Sequence, residues 1–170
     1  MMKRQVKTKI ATTERYNPRL TSWTKIKKSI LKIEADAFPQ YEPQANILET
    51  DFTNKNNIVI LLRSIRGSII GYTYAEPVGQ LNPRRKKNRD TAYITSIAIH
   101  PRFQGKGLVV DLHKLLDKIL VKKGYSFVEG HVVNKNYARS LQKMYADKIV
   151  QEKMTWDENE RKRFVRIRLD

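Results

Sequence analysis

The sequence contains no cysteine, which excludes disulfide bonds, thiolate-bound zinc and a cysteine nucleophile together. It has no run of about 18 apolar residues, so no transmembrane helix is expected. Its start, MMKRQVKTKI, lacks an apolar h-region, so no secretory signal is expected and cytoplasm is the expected location. His100, His113 and His131 are the whole imidazole supply, and none stands at a metal-ligating spacing such as HxxxH, so no metal is expected. Acidic residues are scarce, 17 Asp and Glu against 34 Lys and Arg, which leaves a net charge of +17. Such a field attracts polyanions by steering and counterion release. RNA, DNA, an acidic protein face and a phosphorylated cofactor are all compatible with it.

With 170 residues, 40% of them hydrophobic, the chain is long enough to bury a core as a single domain over 1–170, with a basic arm over 1–20 and a basic loop over 77–90. Alternation from Arg4 to Ala11 predicts a first strand, followed by a polar connector with Asn17-Pro18. Thr21 or Ser22 then caps a helix whose apolar face is Trp23, Ile26, Ile30, Ile33 and Ala37, ending at Phe38-Pro39. A shorter helix is expected between Tyr41 and Phe52, after Pro43. Ile58 to Ser64 and Ser68 to Ala75 read as a hairpin around Arg66-Gly67. Pro77 to Asp90 breaks the pattern and carries Arg84, Arg85, Lys86, Lys87 and Arg89. Next come a strand at Thr91 to His100, a helix after Gly107 with its stripe at Leu108, Leu112, Leu115, Leu116, Ile119 and Leu120, and a strand at Tyr125 to Val133. On that helix His113 falls on the outer face. A helix from Asn136 to Lys148, with Ala138, Leu141 and Tyr145 inward, and a hairpin of Ile149 to Trp156 with Arg163 to Leu169 complete the chain. The order β-α-α-β-β-β-α-β-α-β-β describes a mixed sheet flanked by helices.

Where the strand ending at His100 gives way to a helix, the chain reads Arg102-Phe103-Gln104-Gly105-Lys106-Gly107. Two glycines let backbone N–H groups converge on an anion without a Cβ in the way, and the positive end of the following helix favours negative charge there. Arg102 and Lys106 add cations, so the turn is a candidate cradle for a phosphate or pyrophosphate.

That element order, with its glycine turn, resembles the GNAT superfamily of N-acetyltransferases. Its signature, Q/R-x-x-G-x-G/A after an apolar-x-Pro sequence, is met by Ile99-His100-Pro101 and then by Arg102, Gly105 and Gly107. The resemblance implies an α/β fold of α+β type, with a mixed, mostly antiparallel sheet flanked by helices. It implies an acetyl-CoA-dependent N-acetyltransferase in which the pyrophosphate rests on Arg102, Phe103, Gln104, Gly105, Lys106 and Gly107, and the pantetheine lies along Ile97, Ala98 and Ile99. The acceptor amine then attacks the thioester directly, entering between Phe38 to Glu42 and the last hairpin near Asp157 to Glu160. The family's Asn, Ala and Tyr pattern on the helix after the fifth strand is carried by Asn134, Asn136, Ala138 and Tyr145 at a longer spacing. Asn136 is assigned to cofactor binding and Tyr145 to proton donation to the thiolate.

Two departures stand out. Val109 occupies a position that is often small, and Tyr93-Ile94-Thr95-Ser96 offers no carboxylate where many members hold a base. Glu129 or His131 on the next strand would then serve, through a water. An α-amino acceptor, with a pKa of about 7.7–8.0, needs less help. The amine is that of a protein, an aminoacyl-tRNA or a small molecule, and the basic residues Arg84, Arg85, Lys86, Lys87 and Arg89 suit RNA phosphates. The alternative is a catalytically weak domain of this fold serving as a nucleic-acid-binding or adaptor module.

Overall fold

The structure, a computed structural model, describes residues 10–85, 88–157 and 160–169. Seven strands form one sheet in the order β1-β2-β3-β4-β5-β7-β6. The strands are β1 (Ala11–Arg15), β2 (Ile58–Ser64), β3 (Ile69–Pro77), β4 (Thr91–Ile99), β5 (Phe127–Val132), β6 (Ile149–Asp157) and β7 (Glu160–Arg168). Every neighbouring pair is antiparallel except β4 with β5. The helices are α1 (Trp23–Ala37), α2 (Ala45–Thr53), α3 (Val78–Leu81), α4 (Leu108–Lys122) and α5 (Lys135–Tyr145). No helix among the described residues is long and apolar enough to cross a membrane.

Strand β2 shows how the sheet divides the interior. Its run of apolar residues is buried on both sides, as a central strand covered on two faces requires. Ile58, Ile60 and Leu62 join the core under α4 and α5, with Leu108, Leu112, Leu116, Leu120, Leu141 and Val165. Val59 and Leu61 join the other core with Trp23, Ile26, Ile30 and Ile33 of α1, Leu48 and Phe52 of α2, and Tyr72 and Tyr74 of β3. Phe52 is the centre of that second core. Its ring lies 5.3 Å from those of Trp23 and Tyr72, 5.7 Å from Tyr74 and 6.0 Å from Tyr16.

Three sequence expectations need correction. The strand expected at Arg4 to Ala11 lies, up to residue 9, outside the described residues; what needs correction is the polar connector read after it, since β1 occupies Ala11–Arg15. Only Ala11 of its five residues is buried, so β1 has no apolar alternation to reveal it, and its ladder to Ile60–Ser64 of β2 carries it. The stretch over 77–90 is not an unbroken loop, since α3 and a 3-10 turn, Pro83–Arg85, occupy part of it, anchored by buried Val78. His113, expected on the outer face of α4, is 1% exposed. Leucines four apart mark the side of α4 that meets the sheet, but α5 packs alongside and makes a second side interior, which periodicity in α4 alone does not disclose.

Candidate active site where two parallel strands part

Strands β4 and β5 pair only from Thr91 opposite Phe127 to Ile94 opposite Gly130. Beyond that point β4 stays paired with β3 as far as Ile99, and β5 stays paired with β7 through Val132. The two strands therefore separate, and a cleft opens between them lined by Ile94, Thr95, Ser96 and Ile97 on one side and by Glu129, Gly130, His131 and Val132 on the other. Tyr137 and Leu141 of α5 close it from the α4/α5 face. A bulge coincides with the parting: Tyr74 pairs with Ser96 and Ala75 with Ile94, which leaves Thr95 as an extra residue in β4. Bulges bend and twist a strand locally, and here one sits at the first residue of β4 without a β5 partner.

The same bulge places two consecutive polar side chains on the α1/α2 side. The Thr95 hydroxyl donates to the Glu76 carboxylate, and the Ser96 hydroxyl donates to the Glu34 carboxylate at 3.5 Å and lies 3.3 Å from the Tyr72 hydroxyl. Gln80 steadies Glu76, its amide donating to the second carboxylate oxygen at 3.1 Å. Burial pushes the Glu34 carboxyl above its ordinary range, partly offset by the Ser96 contact. Asp51 adds a third carboxylate, accepting from the Tyr74 hydroxyl at 2.8 Å, and desolvation with Asp51 nearby raises the Tyr74 phenol strongly. Thus β4 contains no carboxylate, yet α1 and β3 each bring one to it. The signal was present in β3, where Tyr72, Tyr74 and Glu76 alternate onto one face.

Of the residues expected to act as bases, Glu129 and His131 share this face, two apart on β5. Glu129 is buried and held by the Arg85 guanidinium through both carboxylate oxygens. His131 is more exposed, with Nδ1 at 2.7 Å from the Tyr93 hydroxyl and its ring against Phe164. Lys86, Lys87 and the hairpin tip at 158–159 lie outside the described residues.

At the far end of β4 the chain enters the glycine turn. His100 caps the 3-10 turn Pro101–Phe103, Nδ1 accepting from the Arg102 N–H at 3.3 Å, while Nε2 meets Asp36 of α1 at 3.2 Å. The Gln104 amide donates to the Ile99 carbonyl at 2.7 Å, tying the turn to the strand. Gly105 and Gly107 hold φ of 73° and 75°, a region costly for residues with a Cβ, and among the described residues nothing lies within 4 Å of where either Cβ would stand. From Gly105 to Val109 no backbone N–H is accepted by a backbone carbonyl among the described residues. Lys106 lies 5.4 Å from the centroid of the Phe103 ring. Open space, unaccepted amides at a helix N-terminus and two cations fit a phosphate group.

On α5, the Asn134 side chain accepts from the N–H groups of Asn136 and Tyr137 and so caps the helix; Asn136 is exposed in its first turn. Tyr145 is buried, but its hydroxyl is turned to α4, bonding His113 Nδ1 at 2.9 Å and the Asp117 carboxylate. Tyr137 lines the cleft and its hydroxyl meets His113 Nε2 at 2.8 Å. Counting from Asn134, the family's offsets of three and then four fall on Tyr137 and Leu141, the two α5 residues in the cleft. Burial lowers His113 to about 4, and raises Asp117 to about 6 against the pull of Tyr145 and Lys148.

A parting of parallel strands that leads into a glycine turn at a helix N-terminus fits a protein that binds an extended phosphorylated ligand, and residues 24–146 match the acetyltransferase (GNAT) family. The chain belongs to that family. Similar solved structures cover nearly all of it. The ribosomal-protein-S18-alanine N-acetyltransferase of Escherichia coli is 16% identical, with a TM-score of 0.69 over 95% of each chain. YncA of Salmonella typhimurium, a putative acetyltransferase solved with its cofactor acetyl-CoA, is 15% identical, with a TM-score of 0.69 over 95% of each chain. NAA60 of Arabidopsis thaliana, solved with a bisubstrate analogue, is 13% identical, with a TM-score of 0.70 over 94% of this chain and 99% of that one. No curated protein matches the chain by sequence.

Proposed function

We propose that the protein transfers an acetyl group from acetyl-CoA to a primary amine. The observation that carries this reading is the parting of β4 and β5 after Ile94 and Gly130, on the same strand that ends in the glycine turn. Acetyl-CoA supplies an activated thioester. The cradle from Arg102 to Gly107, with the side chains of Arg102 and Lys106, holds its pyrophosphate. The strand edge at Ile97, Ala98 and Ile99 takes the extended pantetheine, and Asn136, exposed in the first turn of α5, is assigned to cofactor binding with it.

The amine arrives from the α1/α2 side, where Glu34, Glu76 and Asp51 gather around Tyr74 as an acidic cluster in an otherwise basic protein. That cluster suits a cationic primary amine, carried by a protein, an aminoacyl-tRNA or a small molecule. Glu76 and Glu34 each reach the cleft through one hydroxyl, Thr95 or Ser96, and take the amine's proton by that route or through a water. Glu129, neutralised by Arg85, shapes the cleft, and His131 stands as an alternative base at its rim. The carboxylates brought by α1 and β3 weigh against an adaptor module without catalysis.

Binding is tested by melting temperature. Millimolar acetyl-CoA raises it, and Gly105→Glu abolishes the shift by setting a carboxylate and a strained side chain in the cradle. The absence of any shift in the unaltered protein sinks the acetyltransferase reading.

A further inference from the structure

Behind the cleft, four side chains form a continuous hydrogen-bonded line that the reading above leaves unused. It runs from Tyr137 at the cleft to His113, Tyr145 and Asp117, spanning α5 and α4. Each link allows one hydrogen, so its direction can be worked out. Tyr145 donates its only hydrogen to the Asp117 carboxylate, and its oxygen must therefore accept from His113 Nδ1–H. A neutral imidazole carries one N–H, which makes Nε2 the acceptor and Tyr137 the donor. In this setting the Tyr137 hydrogen points away from the cleft.

A proton on Asp117 reverses every link. Asp117 then donates to Tyr145, Tyr145 to Nδ1, and Nε2–H to Tyr137, which frees the Tyr137 hydrogen for the cleft. The proton belongs on the carboxylate oxygen that otherwise accepts from Tyr145; the second oxygen is buried with no hydrogen-bond partner among the described residues, so nothing on that side holds the charged form, while the residue as a whole is only partly buried. The ionisable groups facing Asp117 are His113 on its own helix, Tyr137 and Tyr145 on α5, and Lys148 just beyond.

We propose that Tyr137 protonates the thiolate released in acetyl transfer and that His113, Tyr145 and Asp117 resupply it as a reversible proton line. This rests on the acetyltransferase reading. The amine nitrogen bonds to the acetyl carbon, the carbon–sulfur bond breaks, and sulfur keeps the electron pair. Sulfur takes the Tyr137 hydrogen, Tyr137 takes that of Nε2, Nδ1 takes that of Tyr145, and Tyr145 takes that of Asp117. Asp117 is left as a carboxylate and recovers a proton from solvent, while the amine's own proton leaves on the α1/α2 side. Tyr137 is the catalytic member; the other three are positioning residues.

The imidazole tautomer provides a test that needs no turnover. In ¹⁵N NMR spectra of the full-length protein, His113 is expected as Nδ1–H at pH 8 and as Nε2–H at pH 5, and Asp117→Asn is expected to hold one tautomer throughout. Tyr137→Phe is expected to lower kcat by about 10²-fold or more with the acetyl-CoA binding shift and melting temperature retained, and D117N to lower kcat and remove the dependence on Asp117 ionisation. A tautomer that does not change with pH in the unaltered protein, or a Y137F variant with unchanged kcat, overturns the proposal. Acetyl-CoA binding and turnover with a fixed tautomer leaves the acetyltransferase standing and removes the proton line. A switching tautomer in a protein that neither binds acetyl-CoA nor acetylates an amine removes both.

Discussion

His113 and Asp117 pull stability in opposite directions across one pH interval. His113, lowered from 6.5 to about 4, is neutral in the folded protein where the unfolded chain is charged, so its effect on stability worsens as pH falls from 6.5 towards 4. Asp117, raised from 3.8 to about 6, takes its proton earlier in the folded state, so its charge costs stability above pH 6 and that cost disappears as pH falls towards 3.8. In D117N only the histidine effect remains. The variant is expected to be more stable than the unaltered protein at pH 8, by no more than about 3 kcal/mol, and to lose that advantage as pH falls from 6 to 4. Urea denaturation at a series of pH values measures the difference; an equal gain at every pH contradicts it. Arg85 is a second residue with a readable cost. Arg85→Ala leaves the buried Glu129 carboxylate without its cation and is expected to cost about 3 kcal/mol in the same assay, whereas exposed Arg84→Ala costs almost nothing.

Among the elements, α2 is short and is held by two buried side chains, Leu48 and Phe52, of which Phe52 is the larger. Phe52→Ala removes the ring that Trp23, Tyr16, Tyr72 and Tyr74 surround and is expected to destabilise by 3–5 kcal/mol, read as a fall in the urea midpoint with little change in slope. How far each element was legible in the sequence follows from how it is held. Helix α1 announces itself because Trp23, Ile26, Ile30 and Ile33 all face one core. Strand β1 is silent because backbone bonds hold it rather than apolar side chains. The glycine turn was legible because its conformation restricts residue type, so the chemistry appears directly as letters. The carboxylates at the bulge were legible only in part: alternation in β3 puts Glu76 on one face with Tyr72 and Tyr74, but only the fold brings that face and Glu34 of α1 to β4. His113 was hidden for the same reason, its neighbours being on α5.

For the whole molecule, a charge of +17 surrounds the acidic cluster of Glu34, Asp51 and Glu76. If the acceptor is carried on RNA, transfer is expected to weaken steeply with salt, whereas transfer to a small cationic amine, with Glu34 and Glu76 as its proposed contacts, is expected to respond far less. E34Q with E76Q tests the second half: kcat/KM for a cationic amine falls, with acetyl-CoA binding unchanged. Equal losses for cationic and uncharged acceptors would count against a role for the acidic cluster.

The two cores also fix how the substrates can interfere with one another. Because the sheet lies between α1 and α2 on one side and α4 and α5 on the other, the cleft between β4 and β5 is an opening in a partition that α5 backs on one side. In the proposed reaction the donor lies along the strand edge and the glycine turn, the acceptor comes from the α1/α2 side, and the two meet only at the reacting atoms. Spent coenzyme A should therefore compete with acetyl-CoA yet leave the amine's own site open, and steady-state product inhibition should be competitive against the first substrate and noncompetitive against the second.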